Sequence, residues 1–375
     1  MTKILLVGAG GYAHVYVDFF LSNEDEDIVL EGVVEKYIDS CPQKDELISR
    51  GIPLYTDMES FYAEHTADLA IICTPTFLHS PQSICALSHG SCVLCEKPAA
   101  PTVEAAGAMI EAEEKYGKWI AIGYQWSFSN AVQKLKRDIL AGVFGNPVSF
   151  KTAISWPRNK TYYGRGVGWA GRVSRDGVMI LDSIAANACA HYLHNMFFLL
   201  GKTMDSSASA QELDAVLLRA NDIENFDTCS LKMKTAEGVD CYFIASHAAE
   251  NRRDPEFVYS FENATVTFGE NGVKEIIAKF SDGRTVSYGD PFGDGIKKLT
   301  DCIHAVNNSE VPICTVKTAF PHTRVIQRLY DDFSVNNFPS DLVHYSEEED
   351  RVYVEGLYDE LFRAYEGEDM LDRYL

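Results

Sequence analysis

The run Lys3-Ile4-Leu5-Leu6-Val7, followed at once by Gly8-Ala9-Gly10-Gly11-Tyr12-Ala13 and then by a helical pattern over Val15 to Leu21, constrains this chain more than any other stretch. An apolar strand, a glycine turn and a helix in that order open a dinucleotide-binding fold. In this G-x-G-x-x-A pattern, Gly8 permits the tight turn, Gly10 lets the backbone approach a pyrophosphate, and Ala13 lets the helix pack close to the strand. The phosphates then sit at the amino end of the helix, where unsatisfied N–H groups favour an anion. The second strand, Ile28 to Val34, ends in Glu35, about twenty residues beyond the loop, where a carboxylate meets adenosine ribose hydroxyls. That position favours NAD, with NADP as the alternative because Lys36 stands beside it.

The strand–helix rhythm continues. Ala67 to Pro75 reads as a buried parallel strand ending in a proline turn, with His79 and a helix over Ser83 to Ser88 after it, closed by Gly90. Ser91-Cys92-Val93-Leu94 is the next strand, and it delivers Cys95-Glu96-Lys97-Pro98. A helix over Thr102 to Tyr116 and a strand over Trp119 to Ile122 follow. This alternation predicts a parallel, doubly wound sheet. Lys97 stands at the carboxyl end of a strand, where open α/β sheets place their chemistry, and the proline after it helps fix its backbone.

After Gly123 the pattern changes, so the domain boundary is expected between residues 123 and 146. A helix over Ala131 to Leu140 and a strand over Val148 to Ser155 lead into an aromatic and basic loop with Trp156, Arg158, Tyr162, Tyr163, Arg165, Trp169 and Arg172. Aromatic faces and guanidinium groups recur where sugars or carboxylates are held; the bland alternative is a surface loop that packs on its neighbour. Ile180 to Leu200 reads as one long apolar helix bearing Asn187, His191 and His194 and ending at Gly201. From residue 213 the period becomes two, which predicts strands over Asp214–Ala220, Thr228–Thr235, Val239–His247, Phe257–Phe261, Thr265–Phe268, Lys274–Phe280 and Thr285–Tyr288. Helices near 294 to 307 and 316 to 333 come next, then an acidic tail with a helical pattern over Val352 to Tyr365. The expected organisation is α/β: an N-terminal Rossmann domain over 1–123, a C-terminal α+β domain over 124–345 with a large open, mostly antiparallel sheet, and an acidic helical extension over 346–375.

A formal charge of −22 disfavours nucleic acid or an anionic membrane surface as the main partner. No run reaches the ~18 apolar residues of a membrane span. The ten cysteines are scattered through apolar runs, as buried reduced thiols in a cytoplasm would be. Cys92 and Cys95 lie in one strand and point to opposite faces, which argues against a metal or redox pair.

Taken together, Gly8 to Ala13, Thr74-Pro75 with His79, Glu96-Lys97-Pro98 and a late helix with a histidine before Gly201 resemble the Gfo/Idh/MocA oxidoreductases, the sugar and inositol dehydrogenases. The resemblance covers residues 1 to 335. It implies an active site between a Rossmann domain and an open mixed sheet, exchanging hydride between NAD(H) or NADP(H) and a secondary hydroxyl or ketone of a sugar, cyclitol or derivative. By the same resemblance Gly8, Gly10, Gly11, Tyr12, Ala13, Glu35, Thr74, Pro75, His79, Glu96 and Lys97 hold the cofactor, and no metal is expected. The substrate falls to Tyr124, Trp156, Arg158, Tyr163, Arg165, Trp169 and Asp182. The family's Asp-x-x-x-His is altered here. Anchoring on Asp182 puts Ala186 in the histidine slot, whereas anchoring on Gly201 places Asn187 and His191 in the two slots. The second alignment is preferred because it keeps a histidine and because residues four apart share a helix face. His191 is then the base, Lys97 stabilises developing alkoxide, and Asn187 orients the imidazole or binds substrate. The rival readings are a redox-assisted sugar eliminase or hydrolase with tightly bound NAD, and a non-catalytic nucleotide-binding regulator. A homodimer or homotetramer through the C-terminal sheet is expected from the resemblance.

Overall fold

Ile4, Leu5, Leu6 and Val7 have no exposed surface. A strand hidden on both faces belongs inside a parallel sheet covered by helices. In the computed structural model of the protein, which describes residues 1–164 and 168–375, it lies there. Among the described residues the chain forms a six-stranded sheet, a nine-stranded sheet and two small two-stranded ones. It divides into two units, Met1–Phe128 with Gly295–Phe320 and Ser129–Asp294 with Pro321–Leu375. Where the sequence suggested consecutive segments, residues 295–320 cluster with the first unit and residues 346–375 with the second.

In the first unit, β1 (Thr2–Val7), β2 (Ile28–Val34), β3 (Leu54–Tyr55), β4 (Leu69–Ile72), β5 (Cys92–Cys95) and β6 (Ile120–Ile122) lie in the order β3-β2-β1-β4-β5-β6, all parallel. The order reverses between β1 and β4, and in open parallel sheets ligands bind in the crevice beyond the carboxyl ends at such a point. The loops that follow β1, β4 and β5 therefore border that crevice. Helix Val103–Tyr116 starts where the Thr102 hydroxyl accepts from the Ala105 N–H (3.1 Å) and stops at Gly117 in the left-handed region (φ 63°). Helix Lys297–Asn308 packs against β1, β4 and β5. Two further bonds hold this late segment, from Thr2 Oγ1 to Asn307 Oδ1 (2.9 Å) and from Ile122 N to Cys314 O (2.8 Å).

The larger sheet of the second unit runs Thr285–Gly289, Ile276–Phe280, Ala264–Phe268, Arg253–Phe261, Pro147–Ser155, Asp240–Ser246, Thr228–Thr235, Ala210–Arg219, Val335–Asn337. It is mixed: Pro147–Ser155 is parallel to Asp240–Ser246, Val335–Asn337 is parallel to Ala210–Arg219, and the other pairs are antiparallel. Neighbouring residues of a strand point to opposite faces. Thr152 points to the face of helix Ala190–Leu199, its hydroxyl 3.3 Å from the Tyr259 hydroxyl, which in turn accepts from Asn195 Nδ2 at 3.4 Å. Ala153 points the other way, into a buried cluster with Tyr242, Ile244, Leu357, Leu361, Ala364, Leu371 and Tyr374. The chain's own C-terminal helix, Leu357–Gly367, thus covers the central strands.

Two expected helices differ from the observed ones. The single helix over Ile180 to Leu200 is only Ala190–Leu199, with Val178–Met179 extended and turns between them. The Ser183 hydroxyl accepts from the Ala186 N–H, the local chemistry that competes with helix formation, and the Asp182 carboxylate is turned to the Gly171 N–H. Asn187 consequently precedes the helix and does not share a helix face with His191. In the tail, Arg351–Val354 is a strand paired with Val343–Ser346, and Gly356 (φ 73°) separates it from helix Leu357–Gly367. All ten cysteines are free. Among the described residues no helix is long and apolar enough to cross a membrane.

Glu113 on helix Val103–Tyr116 accepts a hydrogen bond from Ile120 N (2.8 Å), and burial pushes its carboxyl up to about 7. The folded state then keeps a proton that the unfolded chain loses near its ordinary 4.5, so stability falls as pH rises across that interval and levels above it. Glu113→Gln is expected to remove this slope. Its melting temperature should gain on the wild type between about pH 5 and about pH 8, and parallel curves would refute the assignment.

Candidate active-site residues of the two units

The glycine loop follows β1. Gly8 adopts φ +90°, and a Cβ there would stand 2.9 Å from the carbonyl carbon and oxygen of Cys73, so the loop lies directly against the end of β4. Gly11 is also left-handed (φ 59°), and a short turn over Gly11–Ala13, with Ala13 buried, leads into helix His14–Ser22. Glu35, just past β2, accepts from Ala9 N and Tyr37 N, both at 2.8 Å. An ionised carboxylate offers about four acceptor sites, so Glu35 is fixed at the loop with capacity left for ribose hydroxyls. A close-approach loop at a helix start with an oriented acid beside it fits a dinucleotide. Lys36 rests over the Tyr37 ring (5.7 Å).

Thr74 and Pro75 follow β4, and the Thr74 hydroxyl is bonded to Gln82 Oε1. His79 is 1% exposed, its ring nitrogens 2.8 Å from Pro98 O and 2.9 Å from Thr74 O. Burial holds the imidazole below its ordinary pKa although both carbonyls pull the other way. His79 thus ties the turn after β4 to the segment after Lys97 from inside the unit. Tyr124, placed by the resemblance against substrate, is fully buried in this unit.

Lys97 alone of residues 91–100 is not buried. Its neighbour Glu96 is, at 7% exposure, and the Glu96 carboxylate is held by the Tyr16 hydroxyl (2.6 Å), by Lys298 Nζ and by the Lys97 N–H (3.3 Å). A side chain at Gly123 would stand 3.1 Å from both carboxylate oxygens, so glycine leaves the room Glu96 needs. Lys298, 1% exposed, also lies over the Tyr12 ring (4.6 Å) and donates to its hydroxyl (3.4 Å). Burial alone would raise the Glu96 carboxyl, but Lys298 and Tyr16 bring it below its usual range; burial alone would lower Lys298, but Glu96 raises it. Glu96 therefore contributes stability above the ordinary carboxylate pKa and Lys298 below the ordinary lysine pKa, so the pair is ionised across the neutral range. Lys298 and Tyr16 were not singled out in the sequence. Lys298 carries no local motif, and its partner is 202 residues away.

In the second unit Asp182, 7% exposed, accepts from Gly171 N (2.6 Å) and from Asn187 Nδ2 (2.9 Å). The structure thus joins the two residues that compete for the aspartate slot. His191, on the first turn of helix Ala190–Leu199, is half-buried, and Tyr192 next to it meets Trp156 edge-on (5.7 Å). Trp156 Nε1 donates to Asp254 Oδ1 (3.0 Å). Tyr163 is half-buried, and burial pushes its hydroxyl pKa well up. Trp169 is half-buried too. Arg172 is taken up by Glu224 (2.8 Å) and Gly168 O (2.7 Å). His194 is a core histidine, 1% exposed and held neutral by burial, then by His322 and Lys136. Arg165 lies outside the described residues.

A glycine loop at the reversal of a parallel sheet, with an acid after β2 and a lysine after β5, defines a nicotinamide-dinucleotide-binding α/β protein. Residues 2–124 match the Gfo/Idh/MocA family model, described as an oxidoreductase family with an NAD-binding Rossmann fold. Over 144 residues it is 26% identical to the D-glucoside 3-dehydrogenase of Escherichia coli (strain K12), a match spanning 38% of this chain and 40% of that protein. Over 338 residues it is 21% identical to the 4-carboxy-2-hydroxymuconate-6-semialdehyde dehydrogenase of Sphingobium sp., covering 83% of this chain and 98% of the relative. The WlbA dehydrogenase of Bordetella pertussis, solved with NADH and UDP-GlcNAcA, shares the fold with a TM-score of 0.74 at 20% identity over 88% of this chain and 95% of that one.

Removing one partner of a buried ion pair typically costs about 3–5 kcal/mol. Lys298→Met is expected to lose stability of this order in urea denaturation, and adding Glu96→Gln should restore part of it. A double variant no more stable than Lys298→Met would show that the two charges are not coupled.

Proposed function

We propose that the protein is an NAD-dependent dehydrogenase acting on a secondary hydroxyl, or the corresponding ketone, of a sugar, cyclitol or derivative. The observation that carries this reading is Lys97, the one accessible side chain at the end of β5, beside the switch point of an NAD-binding Rossmann domain. NAD(H), when bound, supplies the hydride acceptor or donor. Lys97 donates a hydrogen bond to the reacting oxygen and stabilises the alkoxide charge that develops there. Its backbone is held by Glu96, which is in turn held by Lys298 and Tyr16. His191 takes the hydroxyl proton as the general base. Asn187 and Asp182 act together: the carboxylate orients the amide, and the pair offers polar contacts to the substrate or the imidazole.

The ten free cysteines fit a reducing compartment such as the cytoplasm. Self-association through the second sheet is left to its outer strands, because helix Leu357–Gly367 occupies one face of the central ones and helix Ala190–Leu199 contacts the other.

Fluorescence titration with NADH and NADPH, followed by a panel of polyols and sugars read at the nicotinamide absorbance band, tests the proposal. Lys97→Ala and His191→Ala are each expected to lower turnover about 10²–10⁴-fold while NADH binding persists. Absence of NADH and NADPH binding would overturn the reading, and binding with no turnover across the panel would remove the dehydrogenase assignment.

A further inference from the structure

The second unit contains a cavity of about 490 Å³ lined by Pro157, Arg158, Asn159, Tyr162, Glu250, Asn251, Arg252, Glu349 and Arg351. Three of these are guanidinium groups, and two of the three are already engaged. Arg252 is paired with Asp254 (2.7 Å). Arg351 is paired with Glu349 (2.6 Å) and donates to Ala249 O (2.9 Å) and Glu250 O (2.6 Å). Both lining carboxylates are engaged as well, Glu349 by Arg351 and Glu250 by the Gly356 and Tyr358 N–H groups at the start of helix Leu357–Gly367.

Arg158 is different. Among the described residues no carboxylate stands within ion-pair distance of it, and its Nε is buried with no acceptor, in a chain with 55 acidic residues against 33 basic ones. It is nevertheless held in place, over the Tyr162 ring at 4.8 Å and the Trp156 ring at 5.5 Å, with its backbone N–H on His247 O (3.0 Å). Stacking fixes the plane of a guanidinium and leaves its edge for a planar or tetrahedral oxyanion, which Arg meets with two parallel bonds. The neutral groups around it, the Asn159 and Asn251 amides and the Tyr162 hydroxyl, suit the hydroxyls of a sugar.

We propose that this cavity receives the anionic group of a sugar substrate, a carboxylate or a phosphate ester, with Arg158 as the residue that selects for it. The location supports a substrate group over a remote effector: the Trp156 ring under Arg158 meets Tyr192, the residue after His191. This rests on the reading of the second unit as the substrate unit, but it is testable without turnover.

Calorimetric titration of the full chain, with and without saturating NADH, would compare D-glucuronate, D-glucose 6-phosphate and D-glucose. At least one of the two anions should bind more tightly than D-glucose, and which one does so distinguishes carboxylate from phosphate. Arg158→Gln should weaken that anion about tenfold or more and leave D-glucose unaffected. Arg158→Lys should recover part of the loss, and Asn159→Asp, at an exposed position, should weaken the same anion by adding a like charge. NADH titration of each variant reports folding and cofactor binding separately. Equal binding of all three sugars, no binding of either anion, or an anion affinity unchanged in Arg158→Gln would overturn the proposal, and none of these results bears on whether the chain transfers hydride.

Discussion

Glu96 ends a strand in a place where water cannot stabilise its charge, and Lys298 is what makes that charge tenable. Each residue alone would be a buried ion with a large desolvation cost; together they satisfy one another, with the Tyr16 hydroxyl and the Tyr12 ring closing the remaining sides. The pair is placed where it matters. It joins the helix that begins the late return to the first unit, the glycine loop through Tyr12, and the strand end from which Lys97 emerges. A lysine proposed to meet one oxygen atom in one direction needs a fixed backbone, and a charged anchor in a dry interior is less forgiving than an apolar one.

Much of this was legible in the residues. Strand, glycine turn and helix at residues 3–21 are local events: Gly8 is glycine because its conformation is left-handed and because Cys73 leaves no room for a Cβ. β2, β4, β5 and β6 follow from apolar runs and the two-residue β3 does not, and Lys97 follows from its place after one of those runs. Lys298 was not legible, since nothing in an amphipathic helix says which distant carboxylate its lysine will meet. The start of helix Ala190–Leu199 was misplaced because Ile180, Leu181, Ile184, Ala185 and Ala186 carry a helix-compatible pattern, while the Ser183 hydroxyl draws off the Ala186 N–H that a helix would need. In the tail a single left-handed glycine, Gly356, divides what reads as one helix into a strand and a helix.

In the aromatic and basic loop of the second unit, the structure separates two arginines by their partners. Arg172 is taken up by Glu224 and Arg158 by nothing acidic among the described residues, while Arg165 lies outside them. Charge alone did not separate them in the sequence. Partnering in the structure does, and it points to a cavity with tyrosine, asparagine and arginine on its walls.

The way the two units share the chain also sets an order of events during synthesis. The first unit needs residues 295–320, and the buried cluster of the second includes Leu371 and Tyr374. Domains usually fold as they emerge from the ribosome, amino end first. Here the six-stranded sheet emerges early but stays without the helix that carries Lys298 until that helix has been made, and Glu96 waits 202 residues for its counterion. The central strands of the larger sheet keep one apolar face open until residues 357–374 have been made. Until then that face is apolar surface exposed to water, the state in which a growing chain is most open to association.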